Sequence, residues 1–179
     1  TGGGTLSVTG TGGGTGPGNY GVKTYATNLD SGDGPTTLTG IGANGAEGLY
    51  FDYATQIGSY GTSGAITLVA DRMSAYQYPN PSAIWGSTLT LEPFSDATTI
   101  GLAGGTGTLN LDPVLAIANG NGFGDYVIGK ATGTGRITVG ASDVDTLDVG
   151  SANLTLRNPG SGSQGMDFNG NIVAGNLTL

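Results

Sequence analysis

Residues 86–93 read Gly86-Ser87-Thr88-Leu89-Thr90-Leu91-Glu92-Pro93, and from Thr88 to Leu91 every second residue is apolar. Period-two alternation puts Leu89 and Leu91 on one face of an extended strand and Thr88 and Thr90 on the other. The β-branched threonines favour that pleated state. Gly86 and Pro93 bound the run with residues that punctuate regular structure. An amphipathic helix would need apolar residues at i, i+3, i+4 and i+7, a spacing the chain does not supply. Glycine also interrupts nearly every stretch, at about 1 kcal/mol each relative to alanine in a helix interior. Helix is therefore not expected.

The same phrase returns as Leu6-Ser7-Val8, Ile66-Thr67-Leu68, Leu109-Asn110-Leu111, Ile137-Thr138-Val139, Leu154-Thr155-Leu156 and Leu177-Thr178-Leu179. From Ile66 onward the steps between phrases are irregular and centred in the low twenties, which predicts coils of roughly 20–28 residues. Shorter strands are expected between the phrases, at Thr99–Leu102, Val114–Ile117, Tyr126–Ile128 and Thr146–Val149. Gly, Asn, Asp and Pro turns join them. One such coil cannot bury its apolar side alone, whereas stacked coils place Leu on Leu inside a narrow core. The expected fold is all-β, a parallel β-helix or β-solenoid. A sandwich of antiparallel hairpins is the rival, but two-residue Asn-Gly or Asp-Gly turns between long strands do not dominate. Residues 1–63 read as a Gly/Thr-rich and Tyr-rich front segment of early coils with loop insertions. Residues 64–179 read as the solenoid repeats.

Composition excludes several functions. The chain has 179 residues, 37 of them Gly, with no Cys, no His and a formal net charge of -8. Without His or Cys, neither a Ser-His-Asp nor a Cys-His catalytic arrangement can be built. Five Lys and Arg against 13 Asp and Glu leave no basic patch for nucleic acid or for a membrane-surface helix. No apolar run approaches the roughly 20 residues that span a bilayer, and Thr1 does not begin a signal peptide. A charged fraction of only 10% and an apolar fraction of 36% argue against disorder despite the glycine.

Residues 86–140 carry a succession of related phrases. Gly-Ser-Thr-Leu-Thr-Leu-Glu-Pro is followed by Thr-Ile-Gly-Leu-Ala-Gly-Gly, Thr-Leu-Asn-Leu-Asp-Pro, Tyr-Val-Ile-Gly-Lys and Gly-Arg-Ile-Thr-Val-Gly. This text resembles the repeats of filamentous-haemagglutinin-like adhesins, the large exoproteins of two-partner secretion systems, over about residues 64–179. The resemblance implies a right-handed parallel β-helix, export to the bacterial surface or the extracellular space, and a role in adhesion or surface structure. The amino-terminal secretion motifs of that family are not recognisable here, and no catalytic residues carry over. The expected function is thus a non-catalytic structural or adhesive module, part of a longer exoprotein or of an end-to-end filament. Self-association through the coil ends, or a host-surface or glycan receptor, would supply its partners. Leu177-Thr178-Leu179 ends in mid-phrase without a polar cap, so continuation or stacking on a neighbour is expected there.

Two other functions compete. A β-helix carbohydrate-active enzyme needs only two carboxylates, which Asp143, Asp145 and Asp148 could supply; Asp143 and Asp145 would share one strand face. An ice-binding solenoid needs a flat face of threonine ladders, for which Thr37-Leu38-Thr39 and Thr88-Leu89-Thr90 offer outward pairs. Calcium is the one cofactor with candidates. Asp30 and Asp33 lie in Asn28-Leu29-Asp30-Ser31-Gly32-Asp33-Gly34, which lacks the closing Glu of an EF-hand, and Asp125 ends a Gly-rich run. Both segments also read as turns. Residues 20–85 hold seven of the eight Tyr and the single Trp. Tyr50, Tyr53, Tyr60, Tyr76, Tyr78 and Trp85 are the candidate partner-binding aromatics: on an exposed face they would stack on sugars or anchor a protein, and otherwise they cover the core. Tyr76-Gln77-Tyr78 alternates like a strand, with both rings on one face.

Overall fold

A computed structural model describes residues 3–16, 18–61, 64–160 and 164–179. The chain lays down short strands in repeated passes. The first pass is β1 (Leu6–Thr11), β2 (Val22–Thr24) and β3 (Asn28–Leu29); the next is β4 (Thr36–Ile41), β5 (Leu49–Phe51) and β6 (Gln56–Ile57). Then come β7 (Ile66–Val69), β8 (Met73–Ala75) and β9 (Ala83–Ile84). A longer pass holds β10 (Thr88–Glu92), β11 (Ile100–Leu102), β12 (Leu109–Asn110) and the helix α1 (Asp112–Ala118). The remaining passes are β13 (Asp125–Gly129), β14 (Ile137–Val139), β15 (Thr146–Asp148), then β16 (Asn153–Arg157), β17 (Met166–Phe168), β18 (Asn171–Val173), and β19 (Asn176–Thr178).

Like strands pair with like. A seven-stranded sheet runs β1-β4-β7-β10-β13-β16-β19, and smaller sheets run β2-β5-β8, β3-β6-β9, β12-β11-β14-β17 and β15-β18. Every pairing among them is parallel. Among the described residues the chain is thus all-β apart from one short α-helix, with the parallel sheets expected of stacked coils. Strands β1 and β4 of the front segment belong to the same sheet as the later ones.

Register decides burial. In the seven-stranded sheet Val8, Leu38, Leu68, Leu91, Ile128 and Leu156 fall on one row, and from Leu38 to Leu156 each is buried. Leu49, Phe51, Ile57 and Ile84 from the smaller sheets share that core with Ile100, Leu102, Ile137 and Val139. The outward row is Ser7, Thr37, Thr67, Thr90, Val127, Thr155 and Thr178. Beside it Asn176 donates to Asn153 Oδ1 at 2.7 Å and Asn153 to Asp125 Oδ1 at 2.8 Å, a side-chain ladder parallel to the backbone one. Buried polar groups are paired: Thr36 and Ser31 share a 2.7 Å hydroxyl hydrogen bond, and Thr55 Oγ1 donates to Thr24 Oγ1 at 2.9 Å. Among the described residues no buried side-chain nitrogen or oxygen lacks a partner, as a core this narrow requires.

Three expectations change. Leu109–Leu111 and Ile137–Val139 read like the Leu89 phrase, yet β12 and β14 lie in a different sheet, while Thr37–Thr39 and Tyr126–Ile128 lie in the seven-stranded one. Alternation reports a half-buried strand, not which sheet holds it. The passes therefore differ from the expected period. From Thr36 to Ile66 and from Leu89 to Tyr126, register partners lie further apart than the upper bound of about 28 residues read from the phrases. Finally, Val114–Ile117 is not a strand but the centre of α1. Pro113 sits in its first turn, where a missing N–H costs nothing, and Asp112 places an acidic residue in that same turn. Val114, Leu115, Ile117 and Ala118 are its buried side, packed on β8 and β9. Among the described residues no helix is long and apolar enough to cross a membrane.

Between β11 and β12 only residues 103–108 intervene, although parallel neighbours usually need a dozen or more residues to reconnect. Glycine makes the short return possible. A Cβ on Gly101 would lie 2.1 Å from Gly105 O, and one on Gly107 would lie 2.2 Å from Gly101 N. Asp112 pins the return, accepting from Ala103 N at 2.6 Å and Gly104 N at 2.8 Å.

Candidate functional site

The aromatic residues separate into two groups by what their ring faces touch. Strands β2 and β5 pair Lys23 with Tyr50, and Tyr20 stacks on Tyr50 with centroids 5.0 Å apart and planes 14° from parallel. Lys23 Nζ lies 5.5 Å and 5.2 Å from the two ring centroids and 3.1 Å from Asp52 Oδ2. Asp52 raises the Lys23 pKa, and burial raises that of Tyr50. At the end of the same sheet Tyr25 stacks on Tyr53 at 5.7 Å, and Tyr53 meets Tyr76 at 6.1 Å. Asn80 Nδ2 donates to the Tyr53 hydroxyl. These rings spend their faces on one another and staple successive passes together, at roughly 0.5–1.5 kcal/mol per pair.

Tyr20, Tyr25 and Lys23 were not singled out in the sequence. A signal existed: Tyr25-Ala26-Thr27 recurs as Tyr53-Ala54-Thr55, with Ala26 and Ala54 both at positive φ in the same corner turn. Tyr76–Tyr78 is a correction, since β8 ends at Ala75 and the two rings do not share a strand face. Tyr76 joins the ladder, whereas Tyr78 is 82% exposed.

Tyr60 and Trp85 form the second group. Tyr60 is 91% exposed, and with the half-buried Trp85 it flanks a groove of about 520 Å³. Gly61, Gly86, Gly120 and Gly122 leave its floor low, and Asn121 lies on its wall, donating to Ile84 O at 3.0 Å and Ile117 O at 2.9 Å. Open aromatic faces beside a fixed amide suit a sugar ring or a protein side chain.

Four of the acidic candidates, Asp30, Asp125, Asp145 and Asp148, have their carboxylates engaged within the fold. Asp145 Oδ2 accepts from Ala141 N, Ser142 N and Ser142 Oγ at 2.8–3.0 Å, and Asp148 Oδ1 accepts from Gly150 N at 2.8 Å. Asp143 and Asp145 precede β15 in a turn, which corrects their expected place on one strand face. Asp30 accepts from Gly32 N at 2.8 Å and from Ser59 Oγ, and Asp125 from Asn153 as above. Asp33 lies in the turn before β4. Among the described residues no group of three or more His, Cys, Asp or Glu is arranged to hold a metal ion.

Other aspartates tie one pass to the next. Asp71 accepts from Ser95 N at 2.8 Å, Ser95 Oγ at 2.6 Å and Thr98 Oγ1 at 2.6 Å, and Asp96 takes Lys130 Nζ at 2.6 Å and Thr132 Oγ1 at 3.0 Å. Burial alone would raise the Asp71 pKa, but hydrogen bonds from Ser95 and Thr98 outweigh it and hold the carboxyl below its ordinary value. Lys130 lowers Asp96 and Ser142 lowers Asp145 in the same direction. A folded-state pKa below the unfolded one means that the unfolded chain binds protons more tightly. Stability from these groups is present above the unfolded value of about 4 and is lost as pH falls through the folded values. The melting temperature should therefore fall steeply below about pH 4. In Asp71→Asn it should be lower at neutral pH and less steep in acid; a parallel pH profile would remove Asp71 as a contributor.

Comparison of the chain with protein-family models, with curated proteins and with solved structures finds no match.

Proposed function

We propose that the chain is part of a right-handed parallel β-solenoid, exported to the surface of a bacterial cell or beyond it, that works as a structural and adhesive rod and not as an enzyme. The observation that carries this reading is the in-register parallel stack of seven strands over a continuous apolar row. Each pass covers the apolar row of the one before, which is how a solenoid extends without a second core. The repeat text resembling filamentous-haemagglutinin-like adhesins supports the handedness, the export and the adhesive role. Turn-capping by Asp145 and Asp148 supports a non-catalytic reading over a glycosidase pair. The threonine face is broken by Val69, Glu92, Val127 and Arg157, which disfavours ice binding through an extended lattice.

The rod grows through its edge strands β1 and β19, pairing with further repeats or with a second copy. Outward Tyr60, Tyr78 and Trp85 are the surface it offers to a receptor. Sedimentation velocity and negative-stain electron microscopy of the purified chain test the rod. Particles of constant width should lengthen with concentration, each pass adding about 4.8 Å. Particles that stay monomeric across the whole range would count against assembly by the edges.

A further inference from the structure

A second concavity lies away from the aromatic groove, on the outer side of the β12-β11-β14-β17 sheet. It is an open cleft of about 580 Å³. Arg72 and Arg136 line it, with Thr99, Thr106, Thr138 and Gln164 among the other polar walls. The short return between β11 and β12 builds one side, because a Cβ on Gly105 would sit 2.2 Å from Thr138 O and the loop rests on the sheet itself. Asp112 fixes that wall from behind.

Charge makes the cleft unusual for this chain. Only five residues are Lys or Arg, and two of them meet here. Arg136 Nη1 bonds Asp167 Oδ2 at 2.8 Å, which fixes its guanidinium and neutralises part of its charge. Asp71, the neighbour of Arg72, has its carboxylate bound to Ser95 and Thr98. The Arg72 side chain therefore has no carboxylate or other partner among the described residues. An exposed guanidinium beside hydroxyls, in a chain of net charge -8, concentrates positive potential at one point.

We propose that this cleft binds an acidic saccharide, with the Arg72 guanidinium forked on a uronate carboxylate. Arg136 adds charge from immediately before β14, two passes further along the chain. The threonine hydroxyls and the Gln164 amide, which both donate and accept, match sugar hydroxyls. A peptide would require apolar anchors, and among the described residues the cleft has no large apolar side chain on its walls. A nucleic acid would need many phosphates neutralised, and the surrounding acidity opposes it. The site stands on the cleft alone and is independent of rod assembly.

Isothermal titration calorimetry of the full chain with tetramers of galacturonate, glucuronate and mannuronate tests the site, together with the methyl ester of each. At least one acid should bind, and its ester should bind at least about tenfold more weakly. Arg72→Gln should lose at least about tenfold for the acid, while its thermal melt stays that of the parent. Binding of none of the three acids, equal binding of acid and ester, or unchanged binding by Arg72→Gln would each overturn the proposal. Sulfate binding as tightly as the best tetramer would also overturn it, by reducing the cleft to a simple anion site.

Discussion

Gly40→Ala is expected to destabilise the chain by about 3 kcal/mol, although it adds a single methyl group. Gly40 lies where the seven-stranded sheet turns toward the β2-β5-β8 sheet. A Cβ there would sit 2.0 Å from Gly48 O and 2.4 Å from Gly48 C. The obstruction is mutual, since a Cβ on Gly48 would meet Gly40 O at 2.2 Å. Both obstacles are backbone, so no rotamer change relieves them. The corner must open instead, and the hydrogen bonds of Gly48 N and Leu49 N to Arg72 O, at 2.9 Å and 3.2 Å, would be strained with it. In the next pass the register position of Gly40 is taken by Ala70, buried and 2.7 Å from a Cβ placed on Gly48. A methyl is thus compatible with the row and is forbidden at residue 40 by the near Gly48 carbonyl, with the buried Leu49 Cδ2 at 2.7 Å adding to the obstruction. Gly13→Ala is the control, because a Cβ there meets nothing within 4 Å. It should be neutral or stabilising by a few tenths of a kcal/mol through the unfolded chain. Urea unfolding of the two variants separates the effects; equal midpoints would show that the corner relaxes freely.

The strands were legible because the alternation is local. Leu6–Val8, Ile66–Leu68, Leu89–Leu91 and Leu154–Leu156 announce half-buried strands from their own side chains, and all four lie in the seven-stranded sheet. Sheet membership is not local. Ile137-Thr138-Val139 carries the same pattern as Ile66-Thr67-Leu68 but sits on another side of the core. The helix escaped for a related reason: α1 has seven residues, too few for a 3.6-residue period to stand out among β-branched neighbours. Its marks are Pro113 in the first turn and the buried set Val114, Leu115, Ile117 and Ala118.

The site was less legible than the fold. The aromatic wealth of residues 20–85 is plain in the text, but the text does not say which ring faces stay open. Register decides that: Tyr50 and Tyr53 meet Tyr20 and Tyr25 across neighbouring passes, while Tyr60 meets no ring among the described residues. Acidity was misleading in the same way. Asp71 and Asp96 look like solvated turn residues until the next pass brings Ser95 and Lys130 to them. The Arg72–Arg136 cleft is likewise made by stacking, from residues that no sequence window contains together.

Leu68→Ala should cost about 3–5 kcal/mol, the upper part of the range for large-to-small core substitutions. Leu68 is fully buried, with Leu38 beneath it and Leu91 above it in register. The backbone ladder holds those neighbours at the strand spacing, so they cannot close over the lost side chain as a mobile loop would. A compact globule distributes such a defect among many contacts. A stack of passes transmits it only along the row, through the interfaces on either side of the altered strand. Leu177→Ala removes the same side chain from β19 of the same sheet, but Leu177 is 45% exposed and its cost should stay below about 1 kcal/mol. Native-state hydrogen exchange then distinguishes a stack from a single cooperative core. In Leu68→Ala the amides of β4, β7 and β10 should lose protection more than those of β16, whereas uniform loss throughout the chain would reject nearest-neighbour coupling as the source of stability.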